Sequence, residues 1–290
     1  MTAVWGLTWK ELLRKKVTLM TVIMTVLFWV IFWFIAQSIH TEQEAREVAN
    51  LFDLMANIRD SITMIALGFF FGTFAVAFLA IFSAVAAVSG EAENGVLQSV
   101  LARPIPRWKW YLGRWLGFVC FGVLYAFVIF TSILLITYLT TGFALEVLTM
   151  VKAFLLFASI IPLLVSITML GSVWLSPLGN GVAMTMLYGM GWLGGMVEKV
   201  LRSEAFDEDA VNRMETISGL IAILMPADSL QQRMMVELFN MKELQGIINM
   251  DNLGPFSLGT VPSNAFLIYI ACYMLTALLL GMVILRRRDF

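Results

Sequence analysis

Glu91 and Glu93 head a charged stretch, Gly90 to Arg114, that lies between two long apolar runs. Paired carboxylates at the start of a helix are favoured by the helix macrodipole, and they can also receive cationic or N–H groups from a docked surface. Val96, Leu97, Val100 and Leu101 follow at a spacing that lines one side of a short helix. Arg103 falls at its C-terminal end, and Pro104 stops it because proline cannot continue a helix. A loop joining two membrane helices does not need an apolar stripe, so this one is expected to dock against something. The plainer alternative is that the carboxylates merely stabilise the helix terminus and the arginines anchor to anionic headgroups.

Other chemistry is poorly supported. The sequence contains no G-x-x-x-x-G-K-[ST], H-E-x-x-H, C-x-x-C or G-x-S-x-G. A chain without these cannot cradle ATP phosphates by itself and lacks the usual acid–base or nucleophilic groups of a hydrolase. It is expected not to be an enzyme, to hold no cofactor or metal, and to have no nucleic-acid partner. Cys120 and Cys272 fall in apolar runs and read as small core residues.

The elements that must position the charged stretch are membrane helices. Hydrophobic residues make up 60% of the 290-residue chain and charged residues 13%. Windows free of charge and about 20 residues long, enough for roughly 30 Å of hydrocarbon, occur at 17–39, 61–88, 115–139, 153–175, 182–197 and 264–285. The fifth is short and glycine-rich, and the breaker Ser176-Pro177-Leu178-Gly179-Asn180-Gly181 separates it from the fourth. Charge supports six spans. With the N-terminus cytoplasmic, residues 1–16, 89–114, 176–181 and 286–290 carry eleven of the 19 Lys and Arg but four of the 20 Asp and Glu. The positive-inside rule then places both termini in the cytoplasm. None of the six windows contains Asp, Glu, Lys or Arg. Such charges mark proton relays and ion sites, so an ion-coupled secondary transporter is disfavoured.

The first 16 residues read as an amphipathic interfacial helix, with Trp5, Trp9, Leu12 and Leu13 toward one face and Lys10, Arg14, Lys15 and Lys16 elsewhere; a merely basic flank is the alternative. A signal peptide is not expected, since no small-residue cleavage site follows the first apolar run. The pairs Gly68/Gly72, Gly113/Gly117 and Gly191/Gly195 have the spacing of close helix packing in lipid. Residues 198–262 form the longest polar segment, expected outside the cell. Within it Ile217–Met225 is apolar but too short to span, and Ser229 with Gln232 has capping-box spacing at the start of a helix. Two arrangements are open: short helices dipping into the outer leaflet around an exit site, or a small extracellular cap.

The central stretch resembles the signature of the ABC-2 type permeases, the membrane subunits of ATP-binding-cassette exporters. Glu91, Glu93, Gly95 and Leu97 match its first part, with Val96 where threonine is usual. Arg103, Pro104, Ile105, Arg107, Gly113 and Arg114 match the second. Trp9-Lys10-Glu11-Leu12 is similar to the family's interfacial helix, Arg286–Phe290 to its ending, and Pro226-Ala227-Asp228 to an Asn-Pro-x-Asp motif without the asparagine. The resemblance implies an all-α membrane protein formed as a single transmembrane domain over 1–290. It would have six transmembrane helices, an N-terminal interfacial helix, a cytoplasmic coupling helix within 90–114 and short outer-side helices. It further implies a multi-pass permease in the plasma (inner) membrane, paired with a second copy and with two ABC-type ATPase subunits that hold the ATP and Mg. The coupling segment, with Glu91, Glu93, Gly95, Leu97, Leu101, Arg103, Pro104 and Arg107, would contact or position the ATPase. An amphipathic, lipid-like, peptide or drug substrate would suit an exporter of this kind. A non-transporting, ATPase-driven scaffold or sensor acting on an outer-side partner is the competing reading.

Overall fold

In the computed structural model, residues 2–14, 16–45, 51–93, 106–203, 208–239 and 262–287 are described. They form ten helices in chain order: α1 (Thr2–Arg14), α2 (Lys16–Ala45), α3 (Leu51–Ala84), α4 (Ser89–Glu93), α5 (Arg107–Thr141), α6 (Val147–Trp174), α7 (Pro177–Ser203), α8 (Glu208–Leu224), α9 (Ala227–Leu238) and α10 (Asn264–Arg287). Among the described residues there is no strand. The protein is all-α and has the helices of a membrane protein.

Among the described residues, five helical stretches are long and apolar enough to cross a membrane: Thr21–Gln43, Asp53–Glu93, Arg107–Thr141, Val147–Trp174 and Asn264–Arg287. The sixth expected span, 182–197, lies inside α7, which is 27 residues long but less apolar. At about 1.5 Å per residue α7 has the length to cross. It begins at Pro177, where a proline fits because the first helical N–H has no intrahelical partner.

α6 is the hub, packed on α3, α5, α7, α9 and α10. Its most apolar window is 67% buried, against 22% for α2 and α10, which lie at the periphery. Pro162 sits within α6. One turn on, the Ser166 hydroxyl donates to the Pro162 carbonyl (2.6 Å) and accepts the Trp115 indole N–H (2.9 Å), which ties α5 to this weakened turn. In the core Phe69 packs on Phe130 and Phe157, with ring centroids 5.1 and 5.5 Å away. Small residues allow the close approaches. A Cβ at Gly68 would meet Ile133 and Phe32, and one at Gly72 would meet Ile133 and Ile129, so this pair seats α3 on α5 within one chain. α1 lies along α5 with Thr8 against Gly117 and Leu12 buried. Leu13 is exposed rather than sharing that face. Cys120 and Cys272 are also exposed, on the outer surfaces of α5 and α10, so they are not the core residues their apolar neighbours suggest.

Within the segment between α7 and α10, the helix α9 is inserted into the helix assembly rather than capping it. α8 and α9 are separated at Met225-Pro226; α8 packs on α7, α9 packs on α6 and α7, and nine residues of α9 are buried. The Gln231 amide donates to the carbonyl of Phe69 at 3.4 Å. Phe69 lies within Asp53–Glu93, a stretch long and apolar enough to cross a membrane. Backbone within hydrocarbon must have its polar groups satisfied by protein. The last carbonyls of α8 meet this need: Ile223 accepts from the Tyr269 hydroxyl (2.6 Å) and Leu224 from that of Tyr273 (3.0 Å), both on α10.

The helix start expected at Ser229 is moved. α9 begins at Ala227 with Pro226 at the N-cap, and Gln232 donates to the Asp228 carboxylate (2.7 Å) rather than reaching back to Ser229. Proline's restricted φ suits the entry to a helix, so it outcompetes a serine three residues later.

Candidate functional site

The charged stretch divides between two helices. α3 loosens into turns at 85–88, resumes as α4 and is described to Glu93. α5 opens at Arg107 behind Pro106, whose extended ψ of 129° sets the helix start. Trp108 to Arg114, expected in a cytoplasmic connection, therefore form the first turns of a 35-residue helix. Gly95, Leu97, Leu101, Arg103 and Pro104 lie outside the described residues, as does the apolar stripe from Val96 to Leu101.

Arg114 is the centre of the site. Its Nη1 lies 2.6 Å from Glu11 Oε2 on α1 and 2.6 Å from Glu91 Oε1 on α4. Its side chain is 5% exposed, while Glu91 is 16% and Glu11 35% exposed. The guanidinium also lies over the rings of Trp110 and Phe118, 5.6 and 5.5 Å from their centroids. These residues are one turn to either side on the same helix face, and their negative ring faces attract the cation. A buried guanidinium is tolerable when paired and stacked in this way. The unpaired alternative costs several kcal/mol.

One face of α5 therefore collects three other elements. Arg114 holds α1 and α4. One turn earlier Trp110 is buried, and beside it Tyr111 is fully enclosed against Gly281 of α10. At the helix start Arg107 Nη1 donates to the carbonyls of Leu285 (3.1 Å) and Arg286 (3.4 Å). A cation at the C-terminal carbonyls of α10 is favoured by the helix macrodipole. Of the residues singled out from sequence, Glu91 and Arg107 face inward as joints within the chain, and Glu93 is exposed.

Residues 3–290 match the family model described as ABC-2 family transporter protein. The chain belongs to the ABC-2 transporter family. No curated protein matches it. In this ABC-2 family member the sequence reading missed two residues that join elements around the site. Glu11 was visible only as part of a basic amphipathic helix, although it is the sole acidic residue of the first 16. Asn180 was read as part of a hairpin breaker. It is fully buried, and its amide donates to the carbonyl of Val85 (2.8 Å), where α3 unwinds, and to that of Thr168 on α6 (3.0 Å). Asn180 thus stabilises the break that aims α4. Asparagine in a Pro-x-Gly-Asn-Gly run signals a turn, and nothing local distinguishes such a residue from a long-range staple.

Among the described residues, no three of His, Cys, Asp and Glu come together to hold a metal. The arrangement joins α4 and the start of α5 to α1 and to the end of α10.

Proposed function

We propose that this ABC-2 family protein is the permease subunit of an exporter, acting as two copies with two copies of a separate ATPase that binds ATP and Mg. It resides in the plasma (inner) membrane with both termini cytoplasmic, and its cargo is amphipathic or lipid-like. The observation that supports this most directly is the Arg114 joint. A push on α4 would reach α5 and α1 through the contacts of Glu91 and Glu11 with Arg114. Glu91 is then a positioning residue, and Glu93, exposed at the last described turn of α4, is the carboxylate best placed for an ATPase surface.

The test is reconstitution with the cognate Walker-motif ATPase. Glu93→Lys should weaken complex formation and substrate-stimulated ATP hydrolysis while leaving insertion and thermal stability of the permease unchanged. A permease that forms no complex with any ATPase, or a Glu93→Lys variant with wild-type coupling, would overturn the assignment.

A further inference from the structure

The start of α5 and the end of α10 lie side by side. Two contacts fix this: Arg107 donates to the carbonyls of Leu285 and Arg286, and one turn further in Tyr111 meets Gly281. The pairing gathers cations from both helices. Lys109 on α5 and Arg286 and Arg287 on α10 are all exposed. Among the described residues none of the three is paired with a carboxylate, and Glu11 and Glu91 are committed to Arg114. The end of α10 does not use up these charges. Its macrodipole is equivalent to about half a negative charge, the α5 N-terminus beside it offers an equal positive one, and Arg107 already sits at the last carbonyls.

Each cation also stands above an apolar strip of its own helix. Arg287 is four residues from Val283 and seven from Leu280, Arg286 is seven from Leu279, and Lys109 is seven from Leu116. These spacings keep residues on one helix face, and all four apolar side chains are exposed. α5 and α10 are both long and apolar enough to cross a membrane. Exposed apolar faces of such helices meet lipid tails, and the charges that end them meet headgroups. Trp108 marks the same level: it is exposed, and Lys109 Nζ lies 5.4 Å from its ring centroid.

We propose that this corner binds an anionic phospholipid, with its phosphate held by Lys109, Arg286 and Arg287 and an acyl chain along the exposed face of α10. Guanidinium forks match phosphate oxygens in a bidentate way. A zwitterionic headgroup brings its own cation and gains less from the site. An acidic protein surface would satisfy the same charges, but the apolar strips directly beneath them favour a lipid. The bound lipid bridges α5 and α10 beside the Arg107 contacts.

Lipid binding here does not rest on the export reading and is measured without ATPase or ATP. The full chain in an uncharged maltoside detergent is titrated calorimetrically with dioctanoylphosphatidylglycerol, dioctanoylphosphatidylcholine and inorganic phosphate. Saturable binding of phosphatidylglycerol is expected, tighter than phosphatidylcholine by about tenfold or more. It should weaken as salt is raised, and inorganic phosphate alone should not bind. A cation near a membrane surface contributes about fivefold to lipid affinity, so Arg286→Gln with Arg287→Gln should weaken phosphatidylglycerol by roughly 25-fold and Lys109→Gln by about fivefold. Lys152→Gln removes an exposed cation on α6, which follows the far end of α5, and should change nothing. Equal affinity for the two lipids, binding of phosphate alone, or an equal loss in Lys152→Gln overturns the proposal. So does an arginine variant that binds lipid as the wild type does but no longer associates with an ATPase, which would give these cations to a protein. Should the arginine variant not fold, Lys109→Gln decides: unchanged lipid affinity overturns the proposal.

Discussion

Arg114→Met removes the charge at the joint and keeps most of the volume. Two carboxylates, Glu11 and Glu91, each 2.6 Å from the same nitrogen, then both lose the guanidinium contact. Removing one partner of a buried pair costs about 3–5 kcal/mol. That figure suits the Glu91 contact, where the side chains are 5% and 16% exposed. The Glu11 contact is screened at its 35% exposed carboxylate and adds about 0–1 kcal/mol. The expected loss is therefore about 3–6 kcal/mol, measured by denaturant unfolding in micelles followed through tryptophan fluorescence. Neutralising the two carboxylates as well should restore most of it, since a neutral replacement for a buried pair is often no worse than the pair. In a double-mutant cycle with Glu91→Gln, Arg114→Met should show a coupling energy within about 0.5–3 kcal/mol, and with Glu11→Gln a smaller one. Losses under about 0.5 kcal/mol, or strictly additive single effects, would mean the three helices are not joined through this guanidinium.

Other expectations follow from the same contacts. Asn180→Leu strips the donor from the Val85 carbonyl at the end of α3 and should lower stability by about 1–3 kcal/mol; Asn180→Gln, which retains the amide, should recover part of it in the same unfolding assay. Replacing Tyr269 and Tyr273 together with phenylalanine keeps the rings but orphans the Ile223 and Leu224 carbonyls, with an expected loss of about 1–3 kcal/mol per carbonyl; unchanged unfolding would show that these carbonyls find other partners. For topology, Ser203→Cys in a background with Cys120 and Cys272 changed to serine should react with a membrane-impermeant thiol reagent on intact cells. Labelling only after permeabilisation would invert the orientation and put α4 on the wrong side for a cytoplasmic ATPase.

The membrane class, the long apolar helices and the break at Pro177 were legible because hydropathy, charge and proline act locally along the chain. The family was legible from the pattern Glu91–Arg114, which is contiguous. Partners were not. Glu91 carries the same signature whether it faces water or Arg114, and only the packing of α1 and α4 on α5 decides that it is half of an ion pair. Asn180 looks like a turn former because its hydrogen bonds run to Val85, 95 residues earlier, and leave no mark on its neighbours. The largest difference lies in α8 and α9. None of the six charge-free windows carries a carboxylate, yet α9 holds Asp228 buried beside Gly195. Sequence hydropathy scores a polar helix by its own residues and places it outside. The tertiary structure packs α9 on α6 and α7 and gives it hydrogen bonds to the Phe69 carbonyl of α3 and to Asn264 of α10, and so a helix too polar and too short to span is held inside the assembly.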